Sequence, residues 1–391
     1  MGDLLTKRGS QLSIALENSY AVDPGSGYKQ IEIIDCNPKR DRERLEREVI
    51  RNTFDKPAAK PGNESATFDI SVELHGSGTN GTAPETDTLW LCAAGRKRVI
   101  AASLSITGTN SPTFTELTVA SGGTAFAVND LVLVVAGDGS AAEVGRVTIV
   151  TSTKITLSAS LTATPVGKLV KGGVQYQLKL ATDSTLQALP SFFSQFLRGG
   201  KILEKINGGK VNQLAMEFTS GQIVKPTFSV EAKYFSSITA GTLTGAPTDT
   251  LIPPHIARYM KVNLGAAGCY GASAVAFNLA NELYRQLSVC TAGTQNLIRT
   301  GRGVTGSLSL LYDEDYVTFE TAWDNETLAE LMMVSSAGNA ALVQGNIFAA
   351  CIPQIKYLDI PKTEDSGIYK LDIAWEAQYV NGEDTLFLAF L

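Results

Sequence analysis

The sequence predicts a mainly β protein: two tandem copies of one β-rich domain with short flanking helices, and a small all-β module inserted into the first copy. Three observations predict it. Ile223–Tyr234 aligns without gaps on Ile368–Tyr379, an offset of 145 positions (368 − 223), with Ile, Lys, Glu, Ala and Tyr retained. Repetition of this kind constrains architecture before any motif is read. Period-two alternation of apolar and polar residues dominates the chain, the mark of half-buried antiparallel strands. Finally, from about Thr109 to Lys168 the chain turns rich in Ser, Thr, Gly, Val and Ala, with few charges, and the second half has no counterpart.

The elements follow in order. No apolar segment follows the basic residues Lys7 and Arg8, so no secretory signal is expected. Pro38–Arg51 combines helix-favouring residues and i,i+4 charge pairs with a thin apolar stripe, Leu45, Val49 and Ile50. It reads as a surface helix or as a charged, extended arm between subunits. Thr67–Leu74 places Phe68, Ile70, Val72 and Leu74 on one face and Asp69, Ser71 and Glu73 on the other. A helix over about Pro84–Ala94 should stop at Gly95, a C-cap residue. Strand-like runs at Phe114–Val119, Leu131–Val135, Val144–Val150 and Lys154–Leu157 are separated by Gly-Gly and Asp-Gly turns. Surface loops tolerate such insertions. Three prolines and a glycine in Thr244–Pro254 read as a linker. In the second half, Gly306–Leu310 overlays Ala66–Ile70, and a second helix is expected over Asn325–Val334. The resulting division is a first domain over 1–108 and 169–243, the module over 109–168, a linker over 244–254, and a second domain over 255–391.

Composition excludes several classes. A net charge of −6 argues against a surface that holds nucleic acid, though not against one that lets DNA pass. No apolar run approaches the ~20 residues of a membrane helix. The five cysteines are odd in number, widely spaced and not paired as CxxC, which favours reduced, mostly buried thiols. With two histidines, His75 and His255, the chain is poor in general bases and metal ligands. Both are expected at a surface or an interface.

The motifs carry little chemistry. Gly76, Gly78 and Gly81 satisfy GxGxxG between a strand and a helix. However, the strand alternates instead of running continuously apolar, and no acidic residue stands about 20 positions on to hold a ribose. A plain glycine-rich connection is the better reading. No GxSxG occurs, and the carboxylate clusters Asp313–Asp315 and Glu364–Asp365 lack the ligand spacing of a calcium loop. Trp90, Trp323 and Trp375 are expected to pack in the core. No catalytic, cofactor-binding or metal-binding residue is assigned.

Several stretches carry a resemblance: Glu17–Pro24, Ala66–Thr79, Ala83-Pro84-Glu85 leading into Leu89–Gly95, Ala246–Thr250, Arg302–Ser307 and the closing Asp384–Leu391. On these residues the chain resembles the phage major tail tube proteins, of the two-repeat kind found in long, flexible, non-contractile tails. The Pro38–Arg51 run and the Thr109–Lys168 module depart from that pattern.

The resemblance implies domains of β-sandwich or split-barrel type flanked by a helix. Their sheets join edge to edge around a ring, and rings stack head to tail into a tube. The usual ring has six such domains, so duplication favours a trimer with pseudo-sixfold symmetry over a hexamer. The implied partners are further copies of the chain, other tail proteins (tape measure, terminator, tail tip) and genomic DNA in transit without specific binding. The implied place is the virion tail, assembled in the host cytoplasm, with no membrane and no cofactor. The polar strand faces Asp69, Ser71 and Glu73, Thr227, Ser229 and Glu231, and Asp372 and Glu376 are candidates for lining the channel, or equally an outer solvent-facing sheet. Arg40, Arg42, Arg44 and Arg47 are candidates for an inter-subunit arm, and the module should project outwards. Two other readings stand beside it: a β-sandwich adhesin or carbohydrate-binding module, and a tail-tip or secretion-system tube ring.

Overall fold

A computed structural model describes residues 7–391 except 51, 53–54, 138–141, 180–188, 248–251, 266, 270–271, 290–293, 312–315 and 338–341. Strands dominate, as the alternation predicts. The first half opens with β1 (Gln11–Leu16), β2 (Lys29–Ile31), β3 (Asp35–Cys36), β4 (Lys39–Leu45) and β5 (Lys60–Ser71), then helix α1 (Asp87–Ala94). Next come β6 (Gly95–Val99) and the strands β7 (Ser103–Thr109), β8 (Glu116–Val119), β9 (Leu131–Val135), β10 (Glu143–Val150), β11 (Lys154–Leu157) and β12 (Leu169–Lys171). The half ends with β13 (Val174–Leu178), β14 (Phe192–Arg198), β15 (Ile202–Thr219), β16 (Thr227–Ala232) and β17 (Tyr234–Ala240).

After β18 (Ala246–Pro247), the second half contains β19 (Lys261–Leu264), β20 (Ala267–Cys269), β21 (Ala272–Ala280), β22 (Leu283–Leu287), β23 (Thr294–Arg299) and β24 (Gly303–Leu311). Helix α2 (Tyr316–Asp324) leads to β25 (Ala329–Ser336), β26 (Ile347–Asp359), β27 (Lys362–Asp365), β28 (Ile368–Ala377) and β29 (Phe387–Phe390).

Both halves use one strand order. The first runs β4–β5–β16–β15 and the second β21–β24–β28–β26. Behind these, β1–β14–β15–β17 matches β19–β25–β26–β29. The long strand of each half therefore serves two sheets. In β15 the change of sheet falls at Gly208 and Gly209, where Gly208 has φ +69 and faces the Tyr20 ring, so a side chain fits neither the backbone nor the space.

The halves are fused. β15 pairs with β21 over Gln213–Thr219, so eight strands from both halves form one sheet. Length alone allowed each domain its own core, but one apolar cluster runs through both. At its centre Trp90 of α1 meets Phe228 of the first half at 5.2 Å, and Phe348 and Phe390 of the second at 5.7 and 5.4 Å. Its indole N–H donates to Thr86 Oγ1 at 2.9 Å, so this large ring is buried without an orphaned donor.

The module is a closed barrel, β10–β11–β8–β7–β12–β9, running from Ser103 to Lys171 around Ile106, Leu117, Val132, Val147 and Ile155. Strand β9 is apolar throughout because both its faces are covered. Val132 and Val134 point into the barrel, while Leu131, Leu133 and Val135 pack on Met332, Val334, Ile347 and Ala389. Arg146 Nε donates to Glu330 Oε2 at 2.9 Å across the same contact. In β25, β26 and β29 the alternate residues Leu331, Met333, Phe348 and Leu388 belong to the common core. The module thus lies behind the outer sheet, on the opposite side of the sandwich from the eight-stranded sheet.

Several expectations are corrected. The second helix lies at Tyr316–Asp324, and most of the stretch assigned to it is strand β25, buried on both faces. A short apolar run does not distinguish a helix from a buried strand. The first helix begins at Asp87 but ends as expected, with Gly95 at φ +101 donating to Leu91 O. Pro38–Arg51 contains no helix among its described residues, because Lys39–Leu45 pairs with β5 and cross-strand bonding overrides helix propensity. Trp323 is 38% exposed on α2, whereas Trp90 and Trp375 are buried. Both histidines are buried rather than at a surface. His255 bonds through its backbone to Leu74 O and Val224 N, and its Nδ1 lies 3.1 Å from Ser335 Oγ.

Two outcomes are expected. Trp90→Ala should cost about 3–5 kcal/mol in denaturant unfolding and leave one transition. Two resolved transitions would contradict the common core. Burial, helped by His75, depresses His255 to about 3, whereas the unfolded chain takes up this proton below its ordinary 6.5. Stability should therefore fall as pH drops from about 6.5 towards 3, by up to ~1.4 kcal/mol per unit. In melts of the unassembled chain, His255→Gln should remove that part of the slope.

Candidate functional site

The front of the eight-stranded sheet is an ordered polar surface that the strand registers define. Cross-strand partners share a face, so rows can be read straight across both halves. One row is Ser71, Thr227, Ala215, Asn278, Thr305 and Glu376; another is Thr219, Ala274, Ser309 and Asp372. The intervening residues, among them Ile70, Phe228, Met216, Phe277, Leu308 and Ile373, point back into the common core. Alternation alone produces this division.

Small and hydroxyl-bearing side chains make up most of the front; its carboxylates include Asp41, Asp69, Glu217, Glu231, Asp372 and Glu376, and Lys39 and Lys370 stand on the same face. Most are held. Asp372 accepts from Ser309 Oγ and, at 2.7 Å, from Thr363 Oγ1. Glu217 accepts from Thr219 Oγ1 at 2.6 Å, and Glu376 from Gln378 Nε2 at 2.8 Å. Ser71 and Thr227 hydroxyls lie 3.0 Å apart. Arg285 reaches Glu231 at 3.2 Å.

The registers put seven of the predicted lining residues on this face: Asp69, Ser71, Thr227, Ser229, Glu231, Asp372 and Glu376. Glu73 lies past the end of β5 and lines a separate recess with Arg8, Gln30 and Glu32. Sequence reading missed the central strands, including Gln213, Glu217, Asn278, Thr305 and Ser307. A signal existed, since Leu214, Met216 and Phe218 alternate, as do Val275, Phe277 and Leu279.

The sheet has two open edges. Among the described residues, β4 at one edge pairs only with β5, and β27 at the other pairs only with β28. β4 carries Lys39, Arg40, Asp41, Arg42 and Glu43, and Pro361 separates β26 from β27, both devices that discourage indiscriminate pairing. Of the predicted arm residues, Arg40 and Arg42 turn to Glu64 within the hairpin. Arg44 and Arg47 are exposed and form no ion pair among the described residues.

The glycine-rich motif is packed against the chain itself. A Cβ on Gly76 would lie 2.2 Å from Gly345 O, and Gly78 N donates to that same oxygen at 3.1 Å. These glycines allow a backbone-to-backbone contact between the halves, where a phosphate would otherwise have to sit. Glu364 and Asp365 lie in β27, while Asp313–Asp315 falls outside the described residues. Cys36, Cys92 and Cys351 are free and buried, and burial pushes all three thiols up. Among the described residues no helix is long and apolar enough to cross a membrane.

No curated protein matches the chain by sequence. The family described as "Phage tail tube protein" matches residues 7–377, nearly the whole chain including the barrel module. Its polar-fronted sheet and open edges therefore belong to a structural protein of the virion tail, and the chain is a member of the phage tail tube protein family.

Proposed function

We propose that three copies close edge to edge into a ring, that rings stack into the tail tube, and that the polar front of the eight-stranded sheet lines the channel through which the genome passes. The observation that carries this reading is the sheet itself, with four strands from each half, one polar face and an open edge on either side. Within the chain, β15 of the first half already pairs with β21 of the second. By the same strand order, the β26–β27 edge of one copy would take β4 of the next. The first tube domain would comprise 1–102 and 172–243, since β7 and β12 belong to the barrel, with the second over 255–391. The barrel module, lying behind the outer sheet, would project from the tube wall.

Geometry favours three copies. Eight strands from each give a barrel of about 24, and at ~4.8 Å spacing and ~40° tilt this measures about 48 Å across the backbone. Side chains reduce the bore to about 35–40 Å, still wider than a DNA duplex. Six copies would double the circumference. The lining chemistry suits passage over retention, since carboxylates repel phosphates and the neutral hydroxyls between them bond a phosphate more weakly than a cation would. Other tail proteins would cap the two ends of such a stack.

Electron microscopy of the purified chain, with its mass in solution, tests the ring. Tubes or stacked rings whose mass is a multiple of three chains are expected. Dispersed monomers binding glycans would instead support an adhesin. The lining is tested by Asp69→Lys with Glu217→Lys in the assembled phage. Tubes should form normally while infectivity drops at least about tenfold, because phosphates would stick to the added cations. Unchanged infectivity would move the lining elsewhere.

A further inference from the structure

The duplication brings one polar pair to two different surroundings. Lys210 and Glu231 are opposite each other in the β15–β16 ladder, one step before the bulge between Val211 and Gln213. Lys356 and Glu376 are opposite each other in the β26–β28 ladder, one step before the bulge between Tyr357 and Asp359. The offsets are 146 (356 − 210) and 145 (376 − 231), so residue types, register and bulge all repeat.

In the first half this pair has a roof, the β22–β23 hairpin. Lys210 Nζ donates to Leu297 O at 2.6 Å and to Asn296 Oδ1 at 3.3 Å. Arg285 donates to Glu231 at 3.2 Å, and Leu283 N to Asn212 Oδ1 at 3.1 Å. Lys210 is only 4% exposed beneath it, and burial draws its ammonium down to about 8. In the second half, Lys356 instead reaches Glu326 at 3.2 Å, and the neighbouring Leu358 is 48% exposed.

The roof is the connection between β21 and β24. Its counterpart joins β4 to β5 through residues 46–59, at the opposite edge of the same chain's sheet from Lys356 and Glu376. That counterpart bears the exposed Arg47, and the exposed Arg44 stands just before it at the end of β4. Spacing and charge together point to Arg47. Glu43, whose carboxylate accepts from Asn63 N, stands where Ala280 pairs with Gly303, and Arg285 lies five past Ala280 (285 − 280); five past Glu43 is Glu48 (43 + 5), and the cation beside it is Arg47. Asn63 and Gly303 are equivalent, at the offset of 240 that relates Ala66 to Gly306.

We propose that the start of the β4–β5 connection of one copy, residues 46–50, covers the Lys356–Glu376 pair of the next copy, with Arg47 donating to that copy's Glu376. The contact reproduces between chains what the β22–β23 hairpin does within one. It makes the surface around Lys356, Leu358 and Glu376 an interface completed by a second copy of this chain, and it rests on the ring reading above.

The test pairs Arg47→Cys with Glu376→Cys and applies a short bis-maleimide, with the parent chain as control. Assembled particles should yield covalent dimers and trimers on a denaturing gel that the parent does not. Assembled particles without such bridges would overturn the contact and leave the ring reading intact, as would a bridge within a single chain. A parent that never assembles would overturn the ring itself. Charge reversal gives an independent arm. Arg47→Glu or Glu376→Arg alone should raise the concentration needed for assembly about tenfold, and the two together should restore it. Absence of restoration would sink the pairing.

Discussion

Backbone hydrogen bonding along β15 is the interaction on which the rest of the molecule depends. This strand runs for 18 residues and bonds to β14 and β17 at its start, then to β16 and β21 towards its end. A buried peptide group left without a partner costs free energy, so a strand placed in two sheets and two halves ties all of them together. The common core follows from it. Once β21 lies beside β15, the apolar backs of both halves face the same space, and Trp90 can touch aromatic rings from each.

The same requirement, left unmet at β4 and β27, gives the chain its outward character. Strand edges exposed to solvent are liabilities in a monomer and connectors in an assembly. Here they are charged and interrupted by proline, features that slow promiscuous pairing while leaving a specific partner possible. The front of the sheet shows comparable restraint. Its carboxylates are mostly bonded to neighbouring hydroxyls and amides, which fixes their position without neutralising them.

The barrel module illustrates how an insertion is tolerated. It closes on itself, so it brings no open edge, and it presents one strand, β9, whose outer face is as apolar as its inner. That strand covers a sheet which would otherwise expose Met332, Val334, Ile347 and Ala389. The Arg146–Glu330 pair, mostly shielded from water on both sides, adds orientation at a contact held chiefly by apolar burial.

Much of this was legible in the residues. Alternation marked β5, β16 and β28 and told their polar side from their buried side. The offset of 145 positions paired β16 with β28, and the shift to Ser, Thr and Gly announced the module. The illegible parts depended on contacts between distant residues. Leu328–Val334 is apolar enough for either a helix or a strand, and only its neighbours β19 and β26 decide. Lys39–Leu45 favours a helix locally but finds a better partner in β5. By itself, the order of residues determined which side of β5, β16 and β28 is polar, that the unit occurs twice, and the family. Tertiary structure alone decided which strand lies beside which, because period-two patterning records the face of a strand and nothing about its neighbour.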